Sequence, residues 1–245
     1  MSSNWGPPGL ETTAPRVNKA FLVVVALSAV TFVGVPWCQE NLGSIDLMSG
    51  RRSCGAAPSE IRVWAFSHHT RRSDETVNLQ KWIARHPRRI NQQYGPFCVT
   101  PLHLAAEFGR EDLAELLIAG GANVEAWNGR QETPLHTSAT YGRPAVAKLL
   151  LARGADVNAR DRGGKTPLHA ATAGLGGEST VRARVEVAKL LLAARANVNA
   201  RDPGGFTPLR AAMSSRHRNT EMLDLLFAYG ADPRGAEERL PAHLR

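Results

Sequence analysis

The chain has little of the chemistry that identifies enzymes and metal proteins from sequence. It contains three cysteines among 245 residues, and no pair of them has the C-x-x-C spacing of a zinc or redox motif. No G-x-S-x-G or H-E-x-x-H motif occurs. The stretch Gly163-Gly164-Lys165-Thr166 lacks the first glycine and the preceding strand of a phosphate-binding loop. The sequence therefore predicts no catalytic residue, no metal ligand and no cofactor, which argues against an enzyme.

Aromatic residues are also scarce, at 6% of the chain, whereas basic residues exceed acidic ones by 30 to 22. A basic balance favours acidic partners, nucleic acid or anionic membrane surfaces. Because few aromatic side chains are present for stacking on bases, the composition argues against nucleic acid as a partner. We interpret the charge as a solvated, arginine-rich surface, with lipid headgroups as an alternative contact.

Charge is absent from residues 20–37, which form an apolar run of 18 residues. At about 1.5 Å per residue a helix of this length spans about 27 Å, close to the hydrocarbon thickness of a bilayer. Arg16 and Lys19 precede the run and Trp37 ends it, as expected for a membrane anchor with a cytoplasmic N-terminus and the rest of the chain on the exoplasmic side. A cleaved signal peptide and a buried soluble helix are the alternatives.

The odd number of cysteines leaves the disulfide pairing open. If the chain is exported, Cys38 can form a bridge with Cys54, and Cys98 is then left unpaired. Residues 1–19 form a tail before the apolar run, and residues 38–75 have the glycine, serine and proline content of a linker.

The remainder of the chain contains an internal repeat. Thr-Pro-Leu occurs at Thr100, Thr133, Thr166 and Thr207, with spacings of 33, 33 and 41 residues, and histidine follows in the first three copies. Threonine is a good helix N-cap, and proline fits the first helical position because its missing N–H costs nothing there. A leucine-rich helix follows, and a glycine such as Gly154 allows a left-handed end to that helix. No single unit can bury its own apolar face, so the units must stack.

These motifs, together with Gly154-Ala155-Asp156-Val157-Asn158-Ala159, resemble the ankyrin repeat family. The resemblance implies an all-α solenoid of helix-turn-helix units with projecting hairpin loops, here preceded by the single hydrophobic helix. The repeat domain is predicted over residues 76–240, with a degenerate cap at 76–97 and repeats at about 98–130, 131–163, 164–204 and 205–236. The extra residues at 174–182 of the third repeat are predicted to form a loop.

The resemblance also implies binding of a protein partner through the hairpin tips and the exposed face of each first helix. Residues at those positions that are not part of the repeat framework are predicted to contact the partner: Glu107, Phe108, Trp127, Asn128, Arg130, Thr140, Tyr141, Arg162 and Phe206. The same repeat position carries His103, His136 and His169. Such a recurrence superficially suggests a row of metal ligands or general bases. The place of these histidines in the first helical turn, three residues after a capping threonine, favours a structural role with a local hydrogen bond.

The sequence therefore predicts a membrane-anchored, monomeric adaptor that binds a protein. A secreted ankyrin-repeat effector or inhibitor, released by cleavage of a signal peptide, is the alternative. The sequence does not identify the partner.

Overall fold

The computed structural model describes Cys54 and residues 72–173, 178–214 and 219–234. Within these residues every regular element is a helix, and the β-pairings are isolated bridges between Cys54 and Gly95 and between Tyr94 and Val99. None of the helices in this part of the chain is both long and apolar enough to cross a bilayer. The predicted membrane segment, residues 20–37, lies outside the described residues.

Helices of two kinds alternate along the chain. Helix α1 spans Arg72–Arg85 and is followed by a 3₁₀ turn at Pro87–Arg89. The first helices of the four repeats are α2 Pro101–Phe108, α4 Pro134–Thr140, α6 Pro167–Ala173 and α8 Pro208–Ser214. The second helices are α3 Glu111–Ala119, α5 Pro144–Ala152, α7 Glu178–Ala193 and α9 Thr220–Ala228. Each first helix begins at the proline of a Thr-Pro-Leu segment, as the sequence predicts.

The helices pack in two rows. Helices α2, α4, α6 and α8 contact one another in sequence order, and α1, α3, α5, α7 and α9 form the second row. The leucine of each Thr-Pro-Leu segment is at most 1% exposed, which places Leu102, Leu135, Leu168 and Leu209 in one continuous core. Burial of a leucine contributes roughly 1.5–3 kcal/mol. Because one core runs through all four repeats, stacking supplies the stability that one unit lacks.

A ladder of side-chain hydrogen bonds joins consecutive units beside this core. In each step a side-chain oxygen accepts a backbone N–H of the next unit. Asn91 accepts the N–H of Asn123 at 2.7 Å. The other three steps, each at 2.8 Å, join the side chains of Glu125, Asn158 and Asn199 to the N–H groups of Asp156, Asn197 and Asp232, respectively. The residue after the valine therefore fixes the spacing between repeats, as asparagine at Asn158 and Asn199 and as glutamate at Glu125. Asn91 performs the same role in the degenerate first unit.

Two predictions about local structure differ from what the structure shows. Helix α1 begins at Arg72, before the predicted cap boundary at residue 76. In the third repeat, the predicted loop at 174–182 is wrong from Glu178 onwards, because α7 already begins there. The glycines of this insertion end at Gly177, and no glycine or proline interrupts the following residues, so the chain extends the second helix toward its N-terminus.

The disulfide also differs from the pairing considered from sequence. Cys54 is bonded to Cys98, with a Cα–Cα distance of 5.2 Å, so the alternative of a Cys38–Cys54 bridge is wrong. The two cysteines are 44 residues apart in sequence and meet because Cys54 pairs with Gly95 in an isolated antiparallel bridge. The sequence left the pairing open because it depends on this tertiary contact.

Candidate partner-binding surface

Each of the first three repeats contains a buried threonine–histidine pair that determines how the hairpin loop is held. The backbone N–H of Thr100 donates to Nδ1 of His103, and the Nε2–H of His103 donates to the carbonyl of Glu132, one repeat further on, at 2.8 Å. His136 and His169 make the same bonds, to the carbonyls of Lys165 and Phe206. Both ring nitrogens are therefore engaged within the protein, which is the structural role expected from the sequence. The bond to the next repeat was not foreseen.

Burial also controls the protonation of these histidines. Desolvation lowers the pKa of His103 to about 4, although its hydrogen bond to the carbonyl of Glu132 acts in the opposite direction. Burial likewise lowers the pKa of His136 and of His169. All three rings are neutral near pH 7. In the part of the chain that the structure describes, no three His, Cys, Asp or Glu side chains converge as a metal site requires.

The loop after the first repeat is shaped by Asn128. Its side-chain oxygen accepts the backbone N–H groups of Arg130 and Glu132, and its amide donates to the carboxylate of Glu132 at 2.8 Å. Asn128 is buried, so its polar atoms organise the loop and orient Glu132. Asp161 accepts two backbone N–H groups in the same way in the next loop.

Successive loop tips are hydrogen-bonded to each other. The N–H of Gly129 donates to the carbonyl of Phe97 at 2.7 Å, and the N–H of Arg162 donates to the carbonyl of Arg130 at 2.9 Å. A Cβ atom at Gly129 would lie 2.9 Å from the carbonyl oxygen of Phe97, so this close approach requires glycine. The contact places Phe97 beside the loop of the first repeat.

A pocket of about 220 Å³ opens between these loops and helices α2 and α4. It brings together five of the residues that the sequence predicts to contact a partner: Glu107, Asn128, Arg130, Thr140 and Tyr141. Its other lining residues are Phe97, Val99, His103, Glu132 and Thr137. The pocket therefore combines two exposed aromatic rings, two carboxylates and one guanidinium group on the surface of the first two repeats.

All three charged side chains of the pocket act on Tyr141. The pKa of its phenol is raised mainly by burial. The charge of Glu107, a side-chain hydrogen bond to Glu107 and the charge of Glu132 raise this pKa further, whereas the charge of Arg130 lowers it. The phenol is therefore protonated, and its hydroxyl donates to the carboxylate of Glu107. The ring nonetheless remains 42% exposed, so it presents an apolar surface to the solvent.

The other predicted contact residues lie outside the pocket. Trp127 is 56% exposed, and its backbone carbonyl accepts a hydrogen bond from the side chain of Gln93. Phe206 is 40% exposed and is covered on one face by the guanidinium of Arg210, 4.1 Å from the ring centroid. Phe108 is half-buried and Arg162 is exposed. The structure thus gathers one subset of the predicted residues and leaves the rest separate.

Phe97 was missed by sequence reasoning although it is 57% exposed, more than any other described large hydrophobic residue. It was assigned to the degenerate cap, which lacks a Thr-Pro-Leu motif to fix its register. The signal was nevertheless present, because Phe97 precedes Arg130, a predicted contact residue, by one repeat length of 33 residues.

Comparison with known families agrees with this geometry. A family model described as ankyrin repeats in three copies matches residues 71–161 and 102–202, which together cover more than half of the chain. No curated protein matches the sequence. The motifs, the paired rows of helices and the family match agree, and the chain belongs to the ankyrin repeat family.

Proposed function

We propose that this protein is a membrane-anchored adaptor whose first two repeats bind a protein partner at the pocket beside Tyr141. Ankyrin repeats form protein–protein interaction modules, and such modules are generally not enzymes. The observation that carries the proposal is the convergence of Glu107, Arg130 and Tyr141 in one open pocket. Aromatic and arginine side chains in a pocket are the residues most often found at the energetic centre of an interface.

The proposed location is the exoplasmic side of a membrane, with the chain held by residues 20–37. The apolar length of this segment and the basic residues before it support the anchor. The Cys54–Cys98 disulfide supports the exoplasmic side, because disulfides form and persist in oxidising compartments. A secreted effector would carry the same disulfide, so the two alternatives differ only in whether the N-terminal segment is removed.

Partner capture with the full chain tests the binding surface. The purified, detergent-solubilised protein is used as bait, and the captured proteins are compared for wild type, Tyr141→Ala and Tyr229→Ala. Tyr229 is a matched control, since it is 48% exposed but is not among the residues that line the pocket. We expect Tyr141→Ala to weaken capture of a specific partner by at least about tenfold, as for a residue at the centre of an interface. Equal recovery with all three baits would contradict the proposal.

Membrane extraction and N-terminal sequencing test the location. We expect the protein to remain with the membrane at alkaline pH, to keep its N-terminal segment, and to be accessible in its repeats to protease added from the exoplasmic side. Release into the medium with a new N-terminus near residue 38 would instead support the secreted effector. Protease access to the repeats only from the cytoplasmic side would reverse the proposed orientation.

A further inference from the structure

The pocket beside Tyr141 has an acidic rim, although the whole chain carries a net charge of +8. Glu107 and Glu132 both line it, whereas Arg130 is the single basic side chain among its lining residues. His103 adds no positive charge near pH 7, because burial keeps its pKa at about 4. The local charge is therefore opposite in sign to that of the protein as a whole.

The polar groups deeper in the pocket are already engaged. The hydroxyl groups of Thr137 and Thr140 donate to the backbone carbonyls of Thr133 and His136, and His103 bonds to the next repeat. One oxygen of Glu132 accepts the amide of Asn128. Glu107 accepts the hydroxyl of Tyr141, but both carboxylates keep lone pairs that can accept further hydrogen bonds. These two acceptors, against one guanidinium, favour a ligand that donates hydrogen bonds.

The walls of the pocket suit a flat cation. Phe97 and Tyr141 are 57% and 42% exposed, and both present ring surface at the pocket. The guanidinium of Arg130 lies over the Phe97 ring, 5.3 Å from its centroid, so the protein itself shows that this ring accepts a guanidinium group. An anionic ligand would meet two carboxylates and one guanidinium in this pocket, a balance that its charge opposes.

We infer that this pocket receives one arginine side chain presented by the protein partner. Its guanidinium donates to the carboxylates of Glu107 and Glu132, and its plane lies against the Tyr141 ring. Arginine fits better than lysine because its planar group offers several donors to two carboxylates and stacks on aromatic rings. The inference rests on the proposed binding surface and specifies the chemistry that this surface recognises.

Nuclear magnetic resonance with ¹³C-labelled tyrosine tests this chemistry without knowledge of the partner. The chain has three tyrosines, of which Tyr141 lines the pocket while Tyr94 and Tyr229 are internal controls. The full chain, with its disulfide intact, is titrated with Nα-acetyl-arginine methylamide and with the neutral citrulline analogue, which has almost the same shape. We expect the Tyr141 signal to move saturably with the arginine probe only, at a roughly millimolar dissociation constant.

Two variants connect the signal with the carboxylates. The double substitution Glu107→Gln and Glu132→Gln is expected to weaken binding of the arginine probe at least about tenfold, because charge-assisted hydrogen bonds are lost. Glu115→Gln is the matched control, since Glu115 is an exposed carboxylate on α3 that is not among the pocket residues. Equal movement with both probes, no movement at about ten millimolar probe, or unchanged affinity in the double variant would overturn the inference.

The outcomes also separate this inference from the proposed binding surface. If Tyr141→Ala loses the partner but the pocket does not distinguish arginine from citrulline, the arginine inference is overturned and the binding surface stands. If the pocket selects arginine while Tyr141→Ala still captures every partner, the arginine site is supported and the proposed partner surface is wrong.

Discussion

The buried histidines show how single residues join adjacent repeats. His103 accepts a hydrogen bond from its capping threonine and donates one to the carbonyl of Glu132, so it connects the start of one repeat with the start of the next. Glu132, which supplies this carbonyl, also lines the pocket. The histidine therefore contributes to the site by holding a loop and does not need to contact a ligand.

This arrangement predicts that stability decreases as the pH falls from about 6.5 toward 4. In that window His103 takes up a proton in the unfolded chain, but it remains neutral in the folded protein because its pKa is lowered to about 4. The unfolded state therefore binds more protons, and His103 alone lowers the free energy of unfolding by roughly 3 kcal/mol across the window. His136 and His169 act in the same direction, because burial lowers their pKa too.

Urea unfolding at a series of pH values measures this effect. A His103→Gln variant is expected to be less stable than wild type at pH 7 and to depend less steeply on pH between 6.5 and 4, because one of the linked protons is removed. A variant with the same pH slope as wild type would show that His103 does not titrate as its burial requires.

At the scale of the elements, the end of each second helix requires a left-handed residue. Gly121, Gly154 and Gly230 supply it after α3, α5 and α9, with φ angles of 94°, 84° and 80°. After α7 the same place is taken by Arg195, at φ 66°. A side chain in this conformation costs about 1 kcal/mol relative to glycine, so the third repeat is under strain that the others avoid.

A reciprocal pair of substitutions tests this difference. Arg195→Gly is expected to raise the free energy of unfolding by about 1 kcal/mol, and Gly154→Arg to lower it by a similar amount. A Cβ atom at Gly154 would meet no atom within 4 Å, so the second substitution reports the backbone conformation without a steric clash. Chemical denaturation of both variants provides the measurement. A loss of stability in Arg195→Gly would mean that the arginine side chain contributes more than its backbone costs.

The elements were predictable from sequence wherever a motif determines their ends directly. Threonine and proline mark the start of each first helix by their own chemistry, and the Gly-Ala-Asp and Gly-Ala-Asn segments mark the end of three of the second helices. The N-terminal extension of α7 was not predictable, because the glycines before Glu178 indicated a loop and the repeat pattern gives no register inside an insertion. Phe97 was missed for a related reason, since the degenerate first unit has no motif from which to count.

At the scale of the whole molecule, the candidate site exists only because repeats stack. Phe97 precedes the first repeat, Glu107 belongs to it, and Glu132 and Tyr141 belong to the second, yet all four line one pocket. The sequence predicted Glu107 and Tyr141 individually from their repeat positions. It did not indicate that these residues share a pocket, because that depends on the hydrogen bonds between loop tips and on the disulfide beside Phe97.

The disulfide connects the stability of the molecule with the geometry of its site. Cys98 follows Phe97 directly, in a short loop closed by mutual backbone hydrogen bonds between Tyr94 and Val99. Because the bond closes a segment with a sequence separation of 44, its loss is expected to lower the free energy of unfolding by about 2–4 kcal/mol. Loss of the disulfide is also expected to free the loop that holds Phe97 at the pocket.

We therefore expect Cys54→Ser, or reduction of the wild-type protein, to lower both the free energy of unfolding and the affinity for the partner. Cys38→Ser is the matched control and leaves both unchanged, since Cys38 does not form this bond. Urea unfolding with and without reductant, together with partner capture, measures the two effects. If Cys54→Ser lost stability but kept full affinity, the disulfide would contribute to folding alone, and the position of Phe97 would depend on the hydrogen bond between its carbonyl and Gly129.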